Sequence, residues 1–530
     1  MSMKSSLAST IAAASAIAGM NAHAMHVDPH GMGQVLVFPY YTANGGNDTL
    51  FVVTNTTDHA KALRVRFHEG YDGRGVLDFD VYVGPHAAWS ASVTASDGGE
   101  SPARLVTSSA ACTVPAFVAH SIDFNGASYE GENAASGPTG NADGGPQTPD
   151  RMREGHFDVF EMGEVTGNLH GSADAVAHGD CAAIVAAWSP GGHWSAHADV
   201  DLAPPAGGLY GTEYVVDVAR GTMFGIDAIA IDRFRSAPLH TAPGDAAPDL
   251  DSASAEPDSR YAALVIIDGA QRTLEYAHPV DAVSALFMAG ALEGDFTRNP
   301  SIGARTDWIV TAPTKRWYVD PALTGGSAKP PFEASFVQSY TSGQMTSNGV
   351  VVDRWASAFP YACANVGAVA YGRDGVVVPL GAANDGGSAG LADTAANPAL
   401  TPCLETSVLT FATAADPAGI ELPVSATGSR LTNATDPGAH VSRNYAGIEL
   451  LPSAGGLSLD LAHDLSGASI SSHALPAASN GDVLTGLPLI AFSATTFVNG
   501  NVADGVLANY AASAAVRSRV ACVNAGNPCR

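Results

Sequence analysis

Histidines between residues 156 and 197 are the first side chains in this sequence that could support chemistry. His193 and His197 stand four residues apart, a spacing that on a helix lets two imidazoles share a metal ion. The dipeptide Gly191-Gly192 precedes them and disfavours a helix, and in a strand the pair would be about 13 Å apart. Exposed or hydrogen-bonded histidines are therefore the favoured interpretation. The same holds for the neighbours His156, His170 and His178.

A serine nucleophile has one candidate, the G-x-S-x-G match at Gly386–Gly390. A nucleophile elbow needs a strand that runs into the turn and a helix that leaves it. The match lies inside the low-complexity segment Ala382–Asn397, which predicts a loop instead. The sequence also lacks H-E-x-x-H, Walker A and G-x-G-x-x-G motifs. We therefore predict no catalytic residue.

Calcium is the one cofactor for which the sequence offers ligands. The segment Pro238–Ser259 is acidic, and extracellular modules bind Ca²⁺ through loop carboxylates and carbonyls. It lacks the residue order of an EF-hand loop, so an acidic linker is the competing interpretation. Copper held by an N-terminal His23 would need cleavage after Ala22, which fits the signal-peptidase pattern worse than cleavage after Ala24. The candidate calcium ligands are Asp245, Asp249 and Asp251.

The densest aromatic and basic cluster lies between residues 308 and 318. An aromatic platform beside cations can stack on a sugar or a peptide. Aromatic residues in β-strands also pack in cores, so a buried role is the competing interpretation. The residues predicted for an interaction surface are Trp308, Lys315, Arg316, Trp317 and Tyr318.

The charge balance limits the partners of this chain. Its 530 residues carry 25 Lys and Arg against 52 Asp and Glu, a formal net charge of -27. Nucleic acids and anionic lipid surfaces are bound through basic patches, so we expect neither as a partner. Hydrophobic residues make up 46% of the chain, enough for a sizeable core.

Residues 1–24 have the pattern of a secretory signal peptide. Lys4 gives the positive start, Leu7–Gly19 the apolar run and Ala22-His23-Ala24 the cleavage site. A membrane anchor would need about 20 apolar residues, and Ser and Thr interrupt this stretch. No later segment of the sequence is long and apolar enough to span a membrane. We expect export of a mature chain to the periplasm, the cell surface or the extracellular space.

Six cysteines in an exported chain favour disulfide bonds. Six cysteines allow fifteen connectivities, and nearest-neighbour pairing keeps each bond inside one compositional region. Zinc is the alternative, but the sequence has no C-x-x-C pair and the spacings are too wide for a finger. The predicted pairs are Cys112 with Cys181, Cys363 with Cys403, and Cys522 with Cys529.

Turn dipeptides between short strands indicate a mainly β fold. Asn-Gly and Asp-Gly recur along the chain, and both tolerate the backbone of tight hairpin turns. Such punctuation predicts β-sandwiches rather than a βαβ fold, with one helix near Asp281–Leu292. We expect tandem β-sandwich-like units with long loops and few short helices. The units cover 25–235 and 260–530, and an acidic linker or loop over 236–259 joins them.

One hairpin can be predicted residue by residue. If the chain folds about Asp72-Gly73, alternating apolar side chains share one face of the two strands. On the other face, Arg64 and Arg66 lie opposite Asp78 and Asp80. Such cross-strand pairs contribute roughly 0.2–1 kcal/mol each. The sequence predicts that this charged face is solvated.

Four segments carry a resemblance to other proteins: Gln34–Thr42, Cys112–Pro115, Ser284–Met288 and Thr306–Asp320. Together they resemble a group of exported bacterial proteins labelled hypothetical or cell-surface proteins. The resemblance covers most of the mature chain. It implies a location in the bacterial cell envelope and carries over no catalytic residue.

These patterns favour an exported protein with a structural or binding role, whose partner is a cell-envelope component or a second copy. The alternative is a secreted hydrolytic or metal-dependent enzyme on a β-sandwich scaffold. A pocket with convergent carboxylates or histidines would favour the enzyme. A flat aromatic face or self-complementary edge strands would favour the binding or assembly protein.

The disulfide prediction can be checked by peptide mapping of exported protein without reduction. We expect one peptide pair that joins Cys112 to Cys181 and another that joins Cys522 to Cys529. Free thiols at these positions would refute the disulfide framework and remove one argument for export.

Overall fold

A computed structural model describes residues 24–95, 101–130, 147–256, 258–325, 328–332, 345–347, 350–352, 364, 366–379, 402, 404–415, 421–431, 452–464 and 467–529. Antiparallel strands dominate these residues, and the helices are short. The prediction of a mainly β fold with β-sandwich-like units and few short helices is therefore confirmed. The predicted signal peptide up to His23, the G-x-S-x-G match and the cysteines at 363 and 403 lie outside the described residues.

The first part of the chain forms fourteen described strands, numbered in chain order. They are β1 (His26–Val27), β2 (Val35–Thr42), β3 (Asn47–Asn55), β4 (Ala60–Glu69), β5 (Gly75–Val83), β6 (Ala88–Ala95), β7 (Ala103–Val106), β8 (Cys112–Val114), β9 (Ser121–Asp123), β10 (Glu154–Val165), β11 (Leu202–Ala203), β12 (Leu209–Asp217), β13 (Thr222–Asp227) and β14 (Ile229–Asp232).

The second part adds the remaining described strands. They are β15 (Tyr261–Ile267), β16 (Ala270–Tyr276), β17 (Met288–Ala289), β18 (Ala291–Thr297), β19 (Ala304–Thr311), β20 (Met345–Ser347), β21 (Val350–Val352), β22 (Gly367–Gly372), β23 (Val377–Pro379), β24 (Thr406–Thr410), β25 (Thr413–Ala415), β26 (Glu421–Pro423), β27 (Ala454–Asp460), β28 (Asp482–Thr485), β29 (Leu487–Pro488), β30 (Ile490–Ala503), β31 (Val506–Ala515), β32 (Arg517–Arg519), β33 (Ala521–Asn524) and β34 (Asn527–Pro528).

The helices of the described residues are all short. They are α1 (Ser172–Ala177), α2 (Cys181–Trp188), α3 (His193–Ala196), α4 (Pro279–Phe287), α5 (Arg316–Val319) and α6 (Pro321–Thr324), with 3-10 turns at Pro149–Arg153 and Pro300–Ile302. None of the helices in the described part of the chain has the length and apolarity needed to cross a bilayer.

Two sheets of the first part form a sandwich. An eight-stranded sheet runs in the order β1-β14-β2-β10-β4-β5-β8, with β11 attached to β10, and a six-stranded sheet runs β13-β12-β3-β6-β7-β9. Aromatic side chains fill the space between them. The ring of Phe157 stacks on Phe38 at 4.2 Å and on Phe67 at 4.5 Å between centroids. These rings share one side of the sheet because successive side chains of a strand point to opposite faces.

The opposite face of the eight-stranded sheet is also covered. Helices α1 to α3 lie over one end, where Met162 and Tyr82 join a core with Trp194. The C-terminal part covers another region, where Val35 and Phe160 share a core with residues of β15, α4 and β19. As a result, every residue of β2 is buried, and β10 is buried except at one half-buried position.

The C-terminal part contains a five-stranded sheet, β23-β22-β27-β18-β32, and a four-stranded sheet, β24-β19-β30-β31. Helix α4 packs beside them, close to the predicted position but ending at Phe287 rather than Leu292. The chain leaves the helix there because Met288 and Ala289 pair with Pro488 and Leu487.

Two disulfides lie in the described residues. Cys112 of β8 bonds Cys181 at the start of α2, and the S–S distance is 2.05 Å. Cys522 bonds Cys529 near the end of the chain. The first bond ties the helices to the edge of the eight-stranded sheet.

Candidate functional site

The hairpin of β4 and β5 has the predicted register, with Arg64 opposite Asp80 and Arg66 opposite Asp78. The prediction that this face is solvated is wrong. Arg64 and Asp80 are completely buried, and the Arg64 Nε donates to Asp80 Oδ1 at 2.5 Å. The segment over residues 241–247 lies across the face, and its backbone carbonyls accept hydrogen bonds from both arginines. The acidic segment is therefore a cover for the sheet.

Each of the three candidate calcium ligands accepts a hydrogen bond from a backbone amide. An Asp245 oxygen accepts from the Ala242 amide at 3.0 Å, and Asp249 accepts from the Asp251 amide at 3.0 Å. Asp251 accepts from the Val280 amide at 3.1 Å. Within the described residues, the groups with convergent ligand atoms do not include these three aspartates.

The residues predicted for an aromatic and basic interaction surface are partly in the core and partly half-buried. Trp308 is fully buried and donates its indole N–H to Asp295 O at 3.0 Å. Tyr318 is also buried, and its hydroxyl donates to Asp281 at 2.7 Å. Lys315 is buried, whereas Trp317 and Arg316 are half-buried. Contrary to the expectation, these five residues do not form one exposed platform, because β19 and α5 contribute them to the C-terminal core.

One group of histidines from the predicted region lies on the surface beside α1. The rings of His170 and His193 stack at 4.3 Å, and the two histidines form a convergent group with Asp201. His193 begins helix α3, contrary to the prediction of no helix there. Gly192 caps that helix in an extended conformation, and Trp194 anchors it in the core. His197 follows the helix, and the metal-binding pair of His193 and His197, which the sequence analysis disfavoured, does not form this group.

The hydrogen bonds of Ser172 do not suit a nucleophile. Its hydroxyl lies 3.1 Å from His193 Nε2 and 3.1 Å from Asp201 Oδ2. Backbone amides of Leu169 and His170 also bond Asp201 and lower its pKa, which keeps it ionised. The hydroxyl proton therefore goes to Asp201, and Nε2–H of His193 must donate to the hydroxyl. A histidine that acts as a general base must instead accept the hydroxyl proton at Nε2.

A buried polar chain fastens the helices to the eight-stranded sheet. The Trp188 indole N–H donates to the Tyr82 hydroxyl at 2.7 Å, and that hydroxyl lies 2.8 Å from His240 Nε2. His240 Nδ1 donates to Ala198 O at 2.5 Å. The Tyr82 hydroxyl accepts from Trp188 and therefore donates to Nε2, so both ring nitrogens of a neutral His240 have a partner. Burial lowers the pKa of His240 to about 4, which keeps it neutral.

A second group of histidines is buried at the centre of the eight-stranded sheet. His68 of β4 and His156 of β10 are cross-strand partners, and their rings stack at 4.9 Å. Asp158 Oδ2 lies 3.4 Å from His68 Nε2. All three side chains are buried, and each offers a ligand atom within 4.8 Å of the other two. The group could hold a metal ion, and sequence reasoning missed it because His68 and His156 are 88 positions apart.

The C-terminal part closes this buried group. The amides of Glu405 and Thr406 donate to the carbonyls of Tyr71 and Gly70, so β24 is fixed against the β4–β5 turn. Glu405 Oε1 lies 3.9 Å from His156 Nε2. Burial raises the pKa of Glu405 well above its ordinary value and lowers that of Lys315 to about 8. Gly73 has a φ of 73°, which favours glycine, and a Cβ atom there would also lie 2.3 Å from a Glu405 carboxylate oxygen.

The outer face of the six-stranded sheet carries exposed aromatic and apolar side chains. Tyr210 and Tyr214 of β12 are 36% and 38% exposed, while their neighbours Leu209 and Val215 are buried. Cross-strand pairing places Leu50 beside Tyr214 on the same face. Alternation in Leu209–Asp217 could not have identified this surface, because the polar Glu213 and Asp217 lie on the buried face and the two tyrosines on the outer one.

No protein-family model, curated protein or solved structure matches this chain.

The polar chain at His240 predicts sensitivity to acid. The pKa of His240 in the folded protein, about 4, lies below the ordinary value of 6.5. The stability that His240 contributes is therefore fully present above pH 6.5 and is lost as the pH falls toward 4. Between pH 7 and pH 5, wild type should lose about 2 kcal/mol of unfolding free energy that His240→Gln does not lose. Urea unfolding at the two pH values measures this difference. The exposed-residue variant His178→Gln should behave as wild type, and equal losses in wild type and His240→Gln would refute the assignment.

Proposed function

We propose that this protein acts outside the cytoplasm as a binding protein and that the outer face of the six-stranded sheet is its binding surface. The observation that carries the proposal is the row of exposed side chains on β3, β12 and β13. Soluble proteins bury most large apolar side chains, and a contiguous exposed set marks an interaction site. The exposed members of this open face are Leu50, Tyr210, Tyr214 and Met223, and the half-buried Val52 lies beside them.

The chemistry of the open face favours a neutral glycan of the cell envelope as its ligand. Tyr210 and Tyr214 lie four positions apart on one strand, about 13 Å, so both can contact one extended chain. Their rings can stack on sugar faces. The Tyr210 hydroxyl lies 3.3 Å from Asp227 Oδ1, and Thr212 is paired with Asp227 across the strands. These groups can bond sugar hydroxyls.

The net charge of the chain favours a neutral ligand over an anionic one. A formal net charge of -27 repels anionic polymers, and it also opposes association of two copies through any face. A neutral polysaccharide avoids this repulsion. Export through the predicted signal peptide of residues 1–24 is part of the proposal. The two disulfides support it, because such bonds persist in oxidising compartments.

The alternative of a secreted enzyme has less support. The buried group of His68, His156 and Asp158 lies inside the protein, where a substrate cannot approach its ligand atoms. The surface group around Ser172 has its hydroxyl proton directed at Asp201 rather than at a base. Neither arrangement combines an accessible nucleophile with an oriented base.

The binding proposal is tested by co-sedimentation of the purified chain with insoluble cellulose, chitin, starch and peptidoglycan sacculi. We expect the wild type to bind at least one of these polymers. Tyr210→Ala and Tyr214→Ala should each weaken that binding about tenfold or more, because truncating a central aromatic contact commonly has this effect. The control is Tyr371→Ala, an exposed tyrosine of another sheet, which should bind as wild type.

Two outcomes contradict the proposal. One is wild type that stays in the supernatant with every polymer. The other is undiminished binding by both tyrosine variants with normal thermal melting. Sedimentation velocity of the same samples identifies self-association: a dimer that Tyr214→Ala disrupts would assign the open face to a second copy instead.

A further inference from the structure

The buried group of His68, His156 and Asp158 contains an electrostatic conflict. The Nδ1 atom of His68 lies 3.0 Å from the carbonyl oxygen of Gly73. A carbonyl can only accept, so Nδ1 carries a proton, and in a neutral imidazole Nε2 then presents a lone pair. That lone pair faces Asp158 Oδ2 at 3.4 Å. Two buried acceptors facing each other need a cation or a proton between them.

The separation of these two acceptors fits a metal better than a proton. Hydrogen bonds between oxygen and nitrogen span about 2.7–3.2 Å, so 3.4 Å is long for one. Zinc bonds of about 2.0–2.2 Å to nitrogen and oxygen, at a tetrahedral angle, place the two ligand atoms about 3.4 Å apart. The observed distance between His68 Nε2 and Asp158 Oδ2 equals this value.

The remaining polar atoms of the group also lack partners in the described part of the chain. These buried atoms are His156 Nδ1, Asp158 Oδ1 and Glu405 Oε2. Unpartnered buried polar atoms are costly and rare in native proteins. Arg66, the cross-strand partner of Asp158, directs its terminal nitrogens to the carbonyls of Asp245 and Ala246 and its Nε toward Asp78. A bound cation would satisfy several of these atoms at once.

The hydrogen bond from His68 to Gly73 resembles the one that a metal-binding histidine makes with its second ring nitrogen. Such residues commonly donate their second ring N–H to a carbonyl or carboxylate, which fixes the tautomer and the ring orientation. His156 is held by stacking on His68 and faces Glu405 with its Nε2 atom. Burial lowers the pKa values of His68 and His156 to about 4 and about 3, so both imidazoles are neutral, and it raises that of Asp158 to about 7, so a metal ion would displace the proton that burial favours there.

We infer that His68, His156 and Asp158 bind one divalent transition-metal ion, with zinc as the ion that this set of two nitrogens and one oxygen suits best. The site is buried between the eight-stranded sheet and β24, so its role is structural. It holds the C-terminal part, through Glu405 beside His156, against the first part of the chain.

The test measures zinc in the full chain after it is produced with zinc and dialysed against metal-free buffer. We expect about one zinc per chain in the wild type and a large loss in Asp158→Asn and His156→Gln. Competition with a chromophoric chelator should show zinc binding at least about 100-fold weaker in both variants, since even outer-shell changes typically cost 10–100-fold. Zinc should raise the melting temperature of the wild type and not of the variants.

His193→Gln, in the surface group with His170 and Asp201, is the matched control and should keep its zinc and its affinity. The inference is overturned if the wild type retains no zinc, if folded Asp158→Asn and His156→Gln retain as much as the wild type, or if only His193→Gln loses it. If neither buried-site variant folds, the zinc contents of the wild type and of His193→Gln decide: zinc in both supports the site, and zinc in neither or in the wild type alone refutes it.

Discussion

The eight-stranded sheet is covered on both faces, and the arrangement of charges in this protein depends on that constraint. In an ordinary sandwich one face of each sheet contacts water, and polar side chains can lie there without partners. Here the second face meets the helices, the acidic segment and the C-terminal part. The buried polar side chains of β4, β5 and β10 must therefore find their partners inside the protein.

Most of these side chains do find partners. Arg64 is paired with Asp80, and Lys61 is paired with Glu161, all four fully buried or nearly so. Removing one member of such a pair typically costs about 3–5 kcal/mol, because the other charge is left uncompensated. The group around Asp158 differs from these pairs, because in the described part of the chain no arginine or lysine is hydrogen-bonded to Asp158, and this contrast is the reason to assign it a cation. The same constraint explains why the candidate ligand-binding surface is on the six-stranded sheet, whose outer face is open.

Local sequence patterns predicted the strands and the β4–β5 register because a strand repeats every two residues and its turn fixes the pairing. They could not predict that the charged face of that hairpin is covered by a distant segment of the chain. Arg64 and Asp80 have the alternation of a solvated face, and nothing nearby in sequence shows that residues 241–247 will cover them. The buried histidines were missed for the same reason, since His68 and His156 meet only through strand pairing. Alternation could not identify Tyr210 and Tyr214 as exposed either, because the polar Glu213 between them lies on the buried face.

Native-state hydrogen exchange on β10 tests most directly the claim that the doubly covered sheet is the centre of the structure. The account predicts that the amides of Phe157–Met162 exchange only through global unfolding, with a free energy equal to that of the whole chain. Their protection should also be lost in the same transition as that of β19 in the C-terminal part. Exchange of the β10 amides through a local opening, while the six-stranded sheet stays protected, would contradict the account.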